Sequence, residues 1–528
     1  MEEITWMKSH NVYTVVPDEE SRGHKRVKVL WVDTNKGDDK VPDVRARLCA
    51  RETKRSGGFE GQEAQLFAAT PPLEGLKMLI SMLMSRRFSI NSRRLKMGFI
   101  DVKKAHLFGV MKRAVYIDLP PEDYHPGCCG RLNYSLYGTR DAANNFENTY
   151  ADALTEHGYV RGVSNPCFYY HPSLDVMMLV HGDDFAILSD EAGIMRTKEM
   201  LETKFELKLR AVLGPDTHDS REVRVLNRLV RWVEDSDGLR VEYEADPRHQ
   251  EIIIKTLKLE SAKAVSTPMV KMKAQDYQVG SELLKKDEIR LYRSVTMRAQ
   301  YLAQDRPDLQ FSVKERARRM KAPMARDLVA LKRVGRYLRG RPRLVQVFPF
   351  QSRPKELVCY CDTDHAGCLE TRKSTSGVAL CHGRHVLRTC PNTQDELGLS
   401  NGESEFYGAV KASSVMLGAR AMASDFGCGQ LPCKCIVRMD SNAGRAMTQR
   451  RGVGKMRHID LRYLWVQQRV ARGDVEVERV PGATNPSDMM TKALPEQAAS
   501  KHLAKLNFQF RDGRSTLAPE VTGAQKSS

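Results

Sequence analysis

An apolar stretch that is broken by a short acidic turn constrains the fold of this chain more than any other feature. Residues 176–188 read VMMLV, then HGDD, then FAIL. Two apolar runs of strand length joined by Gly and Asp are typical of a hairpin with a tight turn, which places Asp183 and Asp184 at its tip. Gly and Asp are also favoured in turns for their backbone preferences alone. Taken by itself, the motif indicates a hairpin and leaves the function of the two acids open.

The length of the chain argues against a single compact core. It has 528 residues, whereas one hydrophobic core rarely grows beyond roughly 250–300 residues. Strand and helix patterns alternate along the chain, which predicts an α/β (α+β) protein. We divide it into an N-terminal region (1–95), a strand–helix region (96–270), a linker with basic helices (271–355), a second compact domain (356–495) and a mobile tail (496–528).

The charge balance favours a polyanionic partner. Lys and Arg number 84 against 66 Asp and Glu, so the net charge is +18. Residues 314–343 contain twelve basic and two acidic residues, a clustering that a merely soluble basic protein does not need. A positive surface binds nucleic acid through its phosphates, so we rank nucleic acid first and a membrane surface last.

Two further patterns concern location and zinc. No apolar run reaches the ~18 residues that span a bilayer, and the start MEEITWMKSH lacks the order of a secretion signal. We therefore expect a protein that is neither secreted nor in a membrane, within a reducing compartment. The twelve cysteines are scattered, without a second pair at zinc-finger spacing, so we predict no disulfide and no zinc.

Asp101 supplies a third carboxylate that could join the hairpin pair. It ends a predicted buried strand over residues 97–102. Polymerases that use two magnesium ions need carboxylates that converge from neighbouring strands, because the metals lie ~3.5–4 Å apart and bind substrate phosphates. Asp101, Asp183 and Asp184 meet that need if the strand lies beside the hairpin.

Several segments around these acids carry a family resemblance. FIDVKKAHLFG (99–109), VYIDLP (115–120), LNYSLYG (132–138) and VHGDDF (180–185) occur in order at fitting spacings. Together they resemble the reverse transcriptase of copia (Ty1/copia) elements. Residues 44–51, 301–308 and 330–340 resemble the basic N-terminal segment and the connecting helices of the same family.

This resemblance implies a fold, a cofactor and residue roles. The fold is a right-hand polymerase, with fingers in 1–95, the palm in 96–270 and connection helices in 271–355. Asp101, Asp183 and Asp184 would bind Mg²⁺ or Mn²⁺. His106 stands where such polymerases keep an aromatic residue against a ribose 2′-hydroxyl, which makes it the nucleotide-binding candidate. His181 and Gly182 differ from the usual residues before the paired acids.

A second set of acids lies in the C-terminal part of the chain. Two-metal hydrolysis of an RNA strand needs about four acids around a cleft, and the candidates are Asp362, Glu405, Asp440 and Asp488. Taken one at a time, the segments at Ser400, at 440–441 and at 487–488 could simply cap helices, which is the commoner role of such residues. A strand over 357–361 and a helix over 459–470 are predicted to frame this domain.

The series of motifs, rather than any one of them, decides the interpretation. The segments CDTDHAG (361–367), SNGESEFYG (400–408), RMDSN (438–442), KMRHIDLRY (455–463) and NPSDMMTK (485–492) resemble a copia-type ribonuclease H domain, with a mixed sheet. The resemblance implies that the four acids bind Mg²⁺ or Mn²⁺. It makes His458 a candidate for proton transfer or product release, although a lone His on such a helix more often packs. His365 replaces a tryptophan that the family usually has.

The leading hypothesis is an enzyme that copies element RNA into DNA and then degrades the RNA of the hybrid. Its partners would be an RNA template, a DNA primer, the RNA/DNA hybrid and dNTPs, in a cytoplasmic virus-like particle or in the nucleus. The predicted phosphate contacts are Arg47, Arg51, Arg318, Arg319, Lys332, Arg333, Arg336, Arg339, Lys455 and Arg457.

Two competing hypotheses stay open at this point. The first is a decayed or repurposed copy that binds the hybrid without catalysis, which His106, Gly182 and His365 favour. The retention of all seven candidate ligands favours the enzyme. The second, a DNA repair nuclease, leaves the polymerase-like part unexplained.

Overall fold

The structure is a computed structural model that describes residues 2–35, 44–53, 66–271, 279–427 and 434–518. Residues 272–278 of the expected linker and 519–528 of the expected tail lie outside this description. Within the described ranges, no helix is long and apolar enough to cross a membrane.

Helices and strands alternate along the chain, which confirms the expected mixed α/β class. The helices are α1 (Glu2–Ser9), α2 (Leu73–Leu83), α3 (Ala142–Glu156), α4 (Glu191–Glu202), α5 (Arg248–Thr256), α6 (Lys286–Ala303), α7 (Pro307–Ala317), α8 (Ala325–Gly340), α9 (Asn401–Asp425), α10 (Asn442–Gln449), α11 (Trp465–Ala471) and α12 (Glu496–Lys505). The strands up to residue 213 are β1 (Tyr13–Pro17), β2 (Lys25–Val27), β3 (Val29–Asn35), β4 (Val44–Ala50), β5 (Lys96–Val102), β6 (Val115–Ile117), β7 (Cys128–Leu132), β8 (Val160–Arg161), β9 (Phe168–His171), β10 (Val176–His181), β11 (Asp184–Ser189) and β12 (Leu207–Leu213). The later strands are β13 (Glu222–Val225), β14 (Arg228–Asp235), β15 (Gly238–Ala245), β16 (Arg343–Pro349), β17 (Glu356–Thr363), β18 (Thr375–His382), β19 (His385–Thr393), β20 (Lys434–Met439), β21 (Glu476–Arg479) and β22 (Phe508–Arg511).

The central sheet carries the predicted hairpin. Its strand order is β12-β5-β11-β10-β9-β8. The predicted strand over 97–102 and the predicted hairpin over 176–188 are confirmed, as β5 and as β10 with β11. Because β5 pairs antiparallel with β11, the apolar residues of both strands alternate between two packed faces. Phe99 packs into one core on one face and Ile100 into another core on the other.

Two smaller sheets precede and follow the central sheet. An N-terminal sheet has the order β1-β7-β6-β2, and β3 and β4 pair antiparallel as a separate two-stranded sheet. A third sheet has the order β13-β14-β15-β16-β22, and helices α5 to α8 pack together next to it around a separate core. The expectation of a mobile tail over 496–528 is wrong for its first part, because α12 is helical and β22 pairs with β16.

The C-terminal sheet has the order β19-β18-β17-β20-β21. β17 pairs antiparallel with β18 and parallel with β20, so the sheet is mixed as expected. The long helix α9 packs on β17 and β18. The helix predicted over 459–470 is partly correct, because residues Leu461–Leu464 form a 3-10 turn and α11 begins only at Trp465.

One apolar core joins the central, third and C-terminal sheets. It contains Phe99 of β5, Trp232 of β14, Phe348 of β16 and Val378 of β18. Phe426, just after α9, packs against Phe168 of β9 in a tilted ring contact with 4.5 Å between centroids. The C-terminal part is therefore packed against the rest of the chain and does not hang from a linker.

A buried polar cluster crosses the same junction. Ser81 Oγ on α2 lies 2.8 Å from His382 Nδ1 and 2.9 Å from His385 Nδ1, at the turn between β18 and β19. His385 Nε2 donates to the Pro349 carbonyl at 2.7 Å. Burial lowers the pKa of His382 and of His385 to about 4, so both rings are neutral at pH 7.

Candidate active sites

The first acid cluster consists of Asp101, Asp183 and Asp184. Asp184 begins β11 directly opposite Asp101 of β5, and Asp183 lies in the turn that precedes it. His181 pairs with Asp184, so Gly182 and Asp183 form a two-residue loop. Gly182 has φ of +64°, a backbone conformation that favours glycine in such loops. Gly182 thus suits the tight turn that brings the acids together.

Arg210 on β12 binds two of these acids. Its guanidinium donates to Asp101 Oδ1, and Nη1 lies 3.3 Å from Asp184 Oδ1. The pairing of β12 with β5 shifts at this residue, since Leu209 is opposite Ile100 and Ala211 is opposite Phe99. Arg210 is therefore the extra residue of a β-bulge, a feature that redirects a side chain.

The acids of this cluster interact electrostatically. Burial, with the Asp183 and Asp101 carboxylates, raises the pKa of Asp184 to about 6, and Arg210 opposes this rise. Two carboxylates held opposite each other with a cation between them form a donor set that a hard divalent cation also prefers. Asp101 and Asp184 therefore fit a divalent cation once Arg210 has moved away.

A large cavity opens beside the first acid cluster. Its volume is about 1300 Å³, and its walls include Asp101, Asp183, His106, Tyr137 and Arg47. The His106 ring meets the Tyr137 ring edge-on at 5.4 Å, and the Arg47 guanidinium lies 5.0 Å from the same tyrosine ring. Burial lowers the pKa of His106, so its ring is neutral at pH 7, and the positive charge of this wall comes from Arg47.

The second acid cluster consists of Asp362, Glu405, Asp440 and Asp488. Asp362 lies on β17, Glu405 on α9 and Asp440 just after β20, while Asp488 lies in the 3-10 turn Pro486–Met490. Carboxylate oxygens of Asp362, Glu405 and Asp440 all lie within 4.8 Å of one another. Four separate elements, spread over more than a hundred residues, supply this set.

Burial and mutual repulsion dominate the electrostatics of the second acid cluster. Burial, with the Asp362 and Asp440 carboxylates, raises the pKa of Glu405 to about 9. Burial and the Asp362 carboxylate likewise raise the pKa of Asp488 to about 6. Within the described part of the chain, Glu405 Oε2 is buried and has no hydrogen-bond partner. An unpartnered buried oxygen among acids fits a divalent cation, which would supply the missing partner.

Lys492 neutralises part of this negative charge. Its ammonium lies 3.0 Å from Asp488 Oδ1 and 3.7 Å from Asp362 Oδ2. Thr491 also donates a hydrogen bond to Asp362 Oδ2. The turn that carries Asp488 therefore supplies both an acid and a cation to the cluster.

Comparisons with known proteins concern the first acid cluster through a family model and most of the chain through relatives. Residues 10–218 match the family model described as reverse transcriptase (RNA-dependent DNA polymerase). The Pol polyprotein of transposon TNT 1-94 from Nicotiana tabacum is 24% identical over 515 residues, which is 94% of this chain and 36% of that protein. The Pol polyprotein of transposon RE1 from Arabidopsis thaliana is 24% identical over 90% of this chain and 31% of that protein. The chain is similar to the Pol polyproteins of copia-type retrotransposons.

This chain spans only about a third of the length of those relatives: the alignments cover 36% and 31% of the two polyproteins. Among solved structures, a foamy viral protease-reverse transcriptase in complex with RNA/DNA hybrid aligns with a TM-score of 0.48 and 10% identity. That alignment covers 98% of this chain and 55% of the viral chain.

His458 binds away from the carboxylates of the second acid cluster. Its Nε2 lies 3.0 Å from Glu403 Oε2, on the turn of α9 that precedes Glu405. Tyr407 donates to the other Glu403 oxygen at 2.7 Å. The contact joins the loop that carries His458 to α9, and the suggested role of His458 in proton transfer or product release stays a prediction.

Several predicted phosphate contacts already have partners within the protein. Arg333 donates to the Thr267 carbonyl, Arg336 to that of Lys263 and Arg339 to that of Ala262. Arg318 donates to Cys368 and Thr371, and Arg319 pairs with Glu370. The exposed members of the predicted set are Arg51, Lys332, Arg339, Lys455 and Arg457. These roles in nucleic-acid binding stay predictions.

Sequence reasoning missed the two cationic side chains of the clusters. Lys492 follows Asp488 by four residues, a spacing at which opposite charges often pair on a helical turn, so the signal was present. Arg210 had no such signal, because its position depends on a bulge in the pairing of β12 with β5.

Proposed function

We propose that the chain is an RNA-directed DNA polymerase that also cleaves the RNA strand of an RNA/DNA hybrid. The observation that carries the proposal is the register of β5 with β11, which sets Asp184 opposite Asp101 beside the Asp183 turn, inside the segment 10–218 that matches the reverse transcriptase family. The central sheet would be the palm of a right-hand polymerase, the N-terminal sheet the fingers, and helices α6 to α8 the connection.

In the polymerase reaction, the first acid cluster would hold two divalent cations, Mg²⁺ or Mn²⁺. Such ions activate the primer 3′-hydroxyl and stabilise negative charge on the phosphate oxygens of the dNTP. Asp101 and Asp184 would orient these ions from two paired strands, and Asp183 from the turn. His106 and Tyr137 would form the cavity wall that the sugar and base of the dNTP contact.

In the nuclease reaction, the second acid cluster would bind the same kinds of ion. Asp362, Glu405 and Asp440 are close enough to share one cation, and Asp488 extends the set. Glu405 is protonated at pH 7 without a cation, because its pKa is about 9, and it would lose that proton when a cation binds. Lys492 stands where it could bind a phosphate of the RNA strand.

The template, the primer and the hybrid would lie along the basic surface. Exposed Lys332 on α8, with Lys455 and Arg457 on the loop before α11, would bind phosphates without reading bases. We propose a cytoplasmic virus-like particle, or the nucleus, as the place of action, since the related polyproteins belong to transposons.

Primer extension on an RNA template with Mg²⁺ tests the proposal. Wild type should make DNA and cut the labelled RNA. Asp183→Asn/Asp184→Asn should lose DNA synthesis and keep cutting of a preformed hybrid, whereas Asp440→Asn should do the reverse. Folding of each variant is checked by its thermal unfolding curve. If wild type binds the hybrid but neither extends nor cuts, the chain is a binding protein and the enzymatic proposal is wrong.

A further inference from the structure

Arg210 occupies the position between two acids where a cation is expected. Its guanidinium contacts Asp101 and Asp184 together, and these residues face each other across β5 and β11. A guanidinium between two carboxylates cancels their repulsion in the way that a divalent cation would. Arg210 and a cation that bridges the same two oxygens cannot be in place together.

The β-bulge is what directs Arg210 to this position. Without the bulge, Arg210 would pair opposite Phe99, where Ala211 lies instead. The extra residue bends β12 and turns the side chain toward the carboxylate end of β5. Such bulges occur often next to active sites, so the placement of Arg210 is a feature of the local backbone design.

The Arg210 side chain also has space into which it can move. Its side chain is 40% exposed, and it lines the cavity of about 1300 Å³ that holds His106 and Tyr137. A guanidinium can donate two parallel hydrogen bonds to two oxygens of one phosphate, as it does to a carboxylate. If the cavity receives a dNTP, the triphosphate is an anionic partner that is absent from the free protein.

We propose that Arg210 is a displaceable counter-ion and a triphosphate-binding residue of the first acid cluster. In the free protein it holds Asp101 and Asp184 and keeps divalent cations weakly bound. When a nucleotide arrives with its cation, Arg210 leaves the acids and binds the triphosphate. Cation binding and nucleotide binding therefore favour each other, and each raises the affinity for the other by the same factor. This inference rests on the proposed polymerase function.

The first experiment uses electron paramagnetic resonance to measure the affinity of the free 528-residue chain for Mn²⁺. All proteins carry Glu405→Gln/Asp440→Asn so that the second acid cluster does not contribute. Arg210→Gln should bind Mn²⁺ about tenfold more tightly than Arg210 does, a size typical of coupled sites. Adding Asp101→Asn should abolish this tight binding, which locates the ion.

Lys208 provides the matched control. It lies opposite Asp101 on β12, lines the same cavity and carries the same charge, but among the described residues it forms no ion pair with an acid. Lys208→Gln should change Mn²⁺ affinity less than about threefold, because it removes only a screened charge. Equal effects of Arg210→Gln and Lys208→Gln would show a general charge effect and overturn the proposal.

The second measurement adds a dNTP to a chain-terminated primer on an RNA template, so that no reaction follows. Wild type should bind Mn²⁺ about tenfold more tightly with the dNTP, whereas Arg210→Gln should lose most of that increase. Arg210→Lys keeps the charge and should retain part of it. An undiminished increase in Arg210→Gln would overturn the triphosphate role.

Failure of the polymerase function is recognised separately. One outcome is that Arg210→Gln tightens Mn²⁺ binding but wild type shows no dNTP effect and no DNA synthesis. That result supports the counter-ion role of Arg210 and overturns the proposed polymerase function. If wild type makes DNA and Arg210→Gln leaves Mn²⁺ affinity unchanged, the function stands and the counter-ion is wrong.

Discussion

The two acid clusters solve the same electrostatic problem with different architecture. The first uses adjacent strands of one sheet and a turn, and its acids stay partly accessible. The second draws Asp362 from a strand, Glu405 from a helix and Asp440 from the residue after a strand, and it buries Asp362 and Glu405 more deeply. In both, a basic side chain, Arg210 or Lys492, neutralises part of the charge.

The difference shows that backbone geometry determines where the cationic side chain lies, whereas burial determines how far the pKa values of the acids rise. In the open cluster, a β-bulge brings the cation to the acids, and the pKa of Asp184 rises only to about 6. In the buried cluster, burial and the Asp362 and Asp440 carboxylates raise the pKa of Glu405 to about 9. Lys492, which pairs with Asp488 and Asp362, opposes that rise only in part. Burial makes the second acid cluster more dependent on a bound cation than the first.

The largest predicted effect tests whether the clusters act independently. Glu405→Gln should lower hybrid cleavage by about 10³-fold, since cation-assisted charge stabilisation supplies several kcal/mol. DNA synthesis should stay within about twofold of wild type. Glu478→Gln on β21 of the same sheet is the control and should leave both activities unchanged. Loss of both activities in Glu405→Gln would contradict two separate sites.

The next effect concerns the junction between the two regions. His382 and His385 have folded pKa values of about 4, below the usual 6.5. Between pH 6.5 and 4 the unfolded chain therefore binds protons that the folded chain does not, so stability is full above this window and falls as pH falls. Each histidine should cost about 1 kcal/mol per pH unit inside the window.

Urea unfolding at pH 7, 6 and 5 measures this slope. The variant His382→Asn/His385→Gln removes both titrating rings, so its stability should depend less on pH than that of wild type. The comparison between the two proteins isolates the histidines, because the acids of both clusters titrate equally in each. Parallel slopes would rule out a neutral histidine pair at the junction.

A smaller effect distinguishes the two counter-ions. In EDTA, Lys492→Met should lower the free energy of unfolding by about 1–2 kcal/mol, because it leaves the buried Asp362 and the half-buried Asp488 carboxylates without their cation. Arg210→Met should lower it by less than about 1 kcal/mol, since its acids are better solvated. Differential scanning calorimetry measures both. The reverse order would contradict the inferred difference in burial.

The smallest effect concerns the helix that lies between the two regions in sequence. Lys332 on α8 is exposed, whereas Arg336 on the same helix donates to the Lys263 carbonyl. Lys332→Gln should weaken hybrid binding about twofold and reduce the salt slope by about one. Arg336→Gln should change stability more than binding. Equal salt slopes in wild type and Lys332→Gln would remove α8 from the hybrid surface.

What the sequence predicted depended on local pattern. The hairpin at Asp183 and Asp184 and the strand at Asp101 follow from short apolar runs and turn chemistry, so their positions could be predicted. Arg210 could not, because a bulge shifts register without a mark in composition. Nor could the contact of Ser81 with His382, since 301 residues separate them. The tail was mispredicted because its short apolar strand finds a partner only in β16.

The core that joins the three sheets has a consequence for biosynthesis. Phe168 of the polymerase-like part packs against Phe426, and β16 pairs with β22. The residues of β22 are synthesised last among these elements. During translation, the apolar surface at Phe168 and the free edge of β16 therefore stay uncovered until the later residues have been made. Nascent chains that stall before residue 426 would lack both partners, and those that stall later but before residue 508 would leave the β16 edge open. Exposed strand edges invite aggregation.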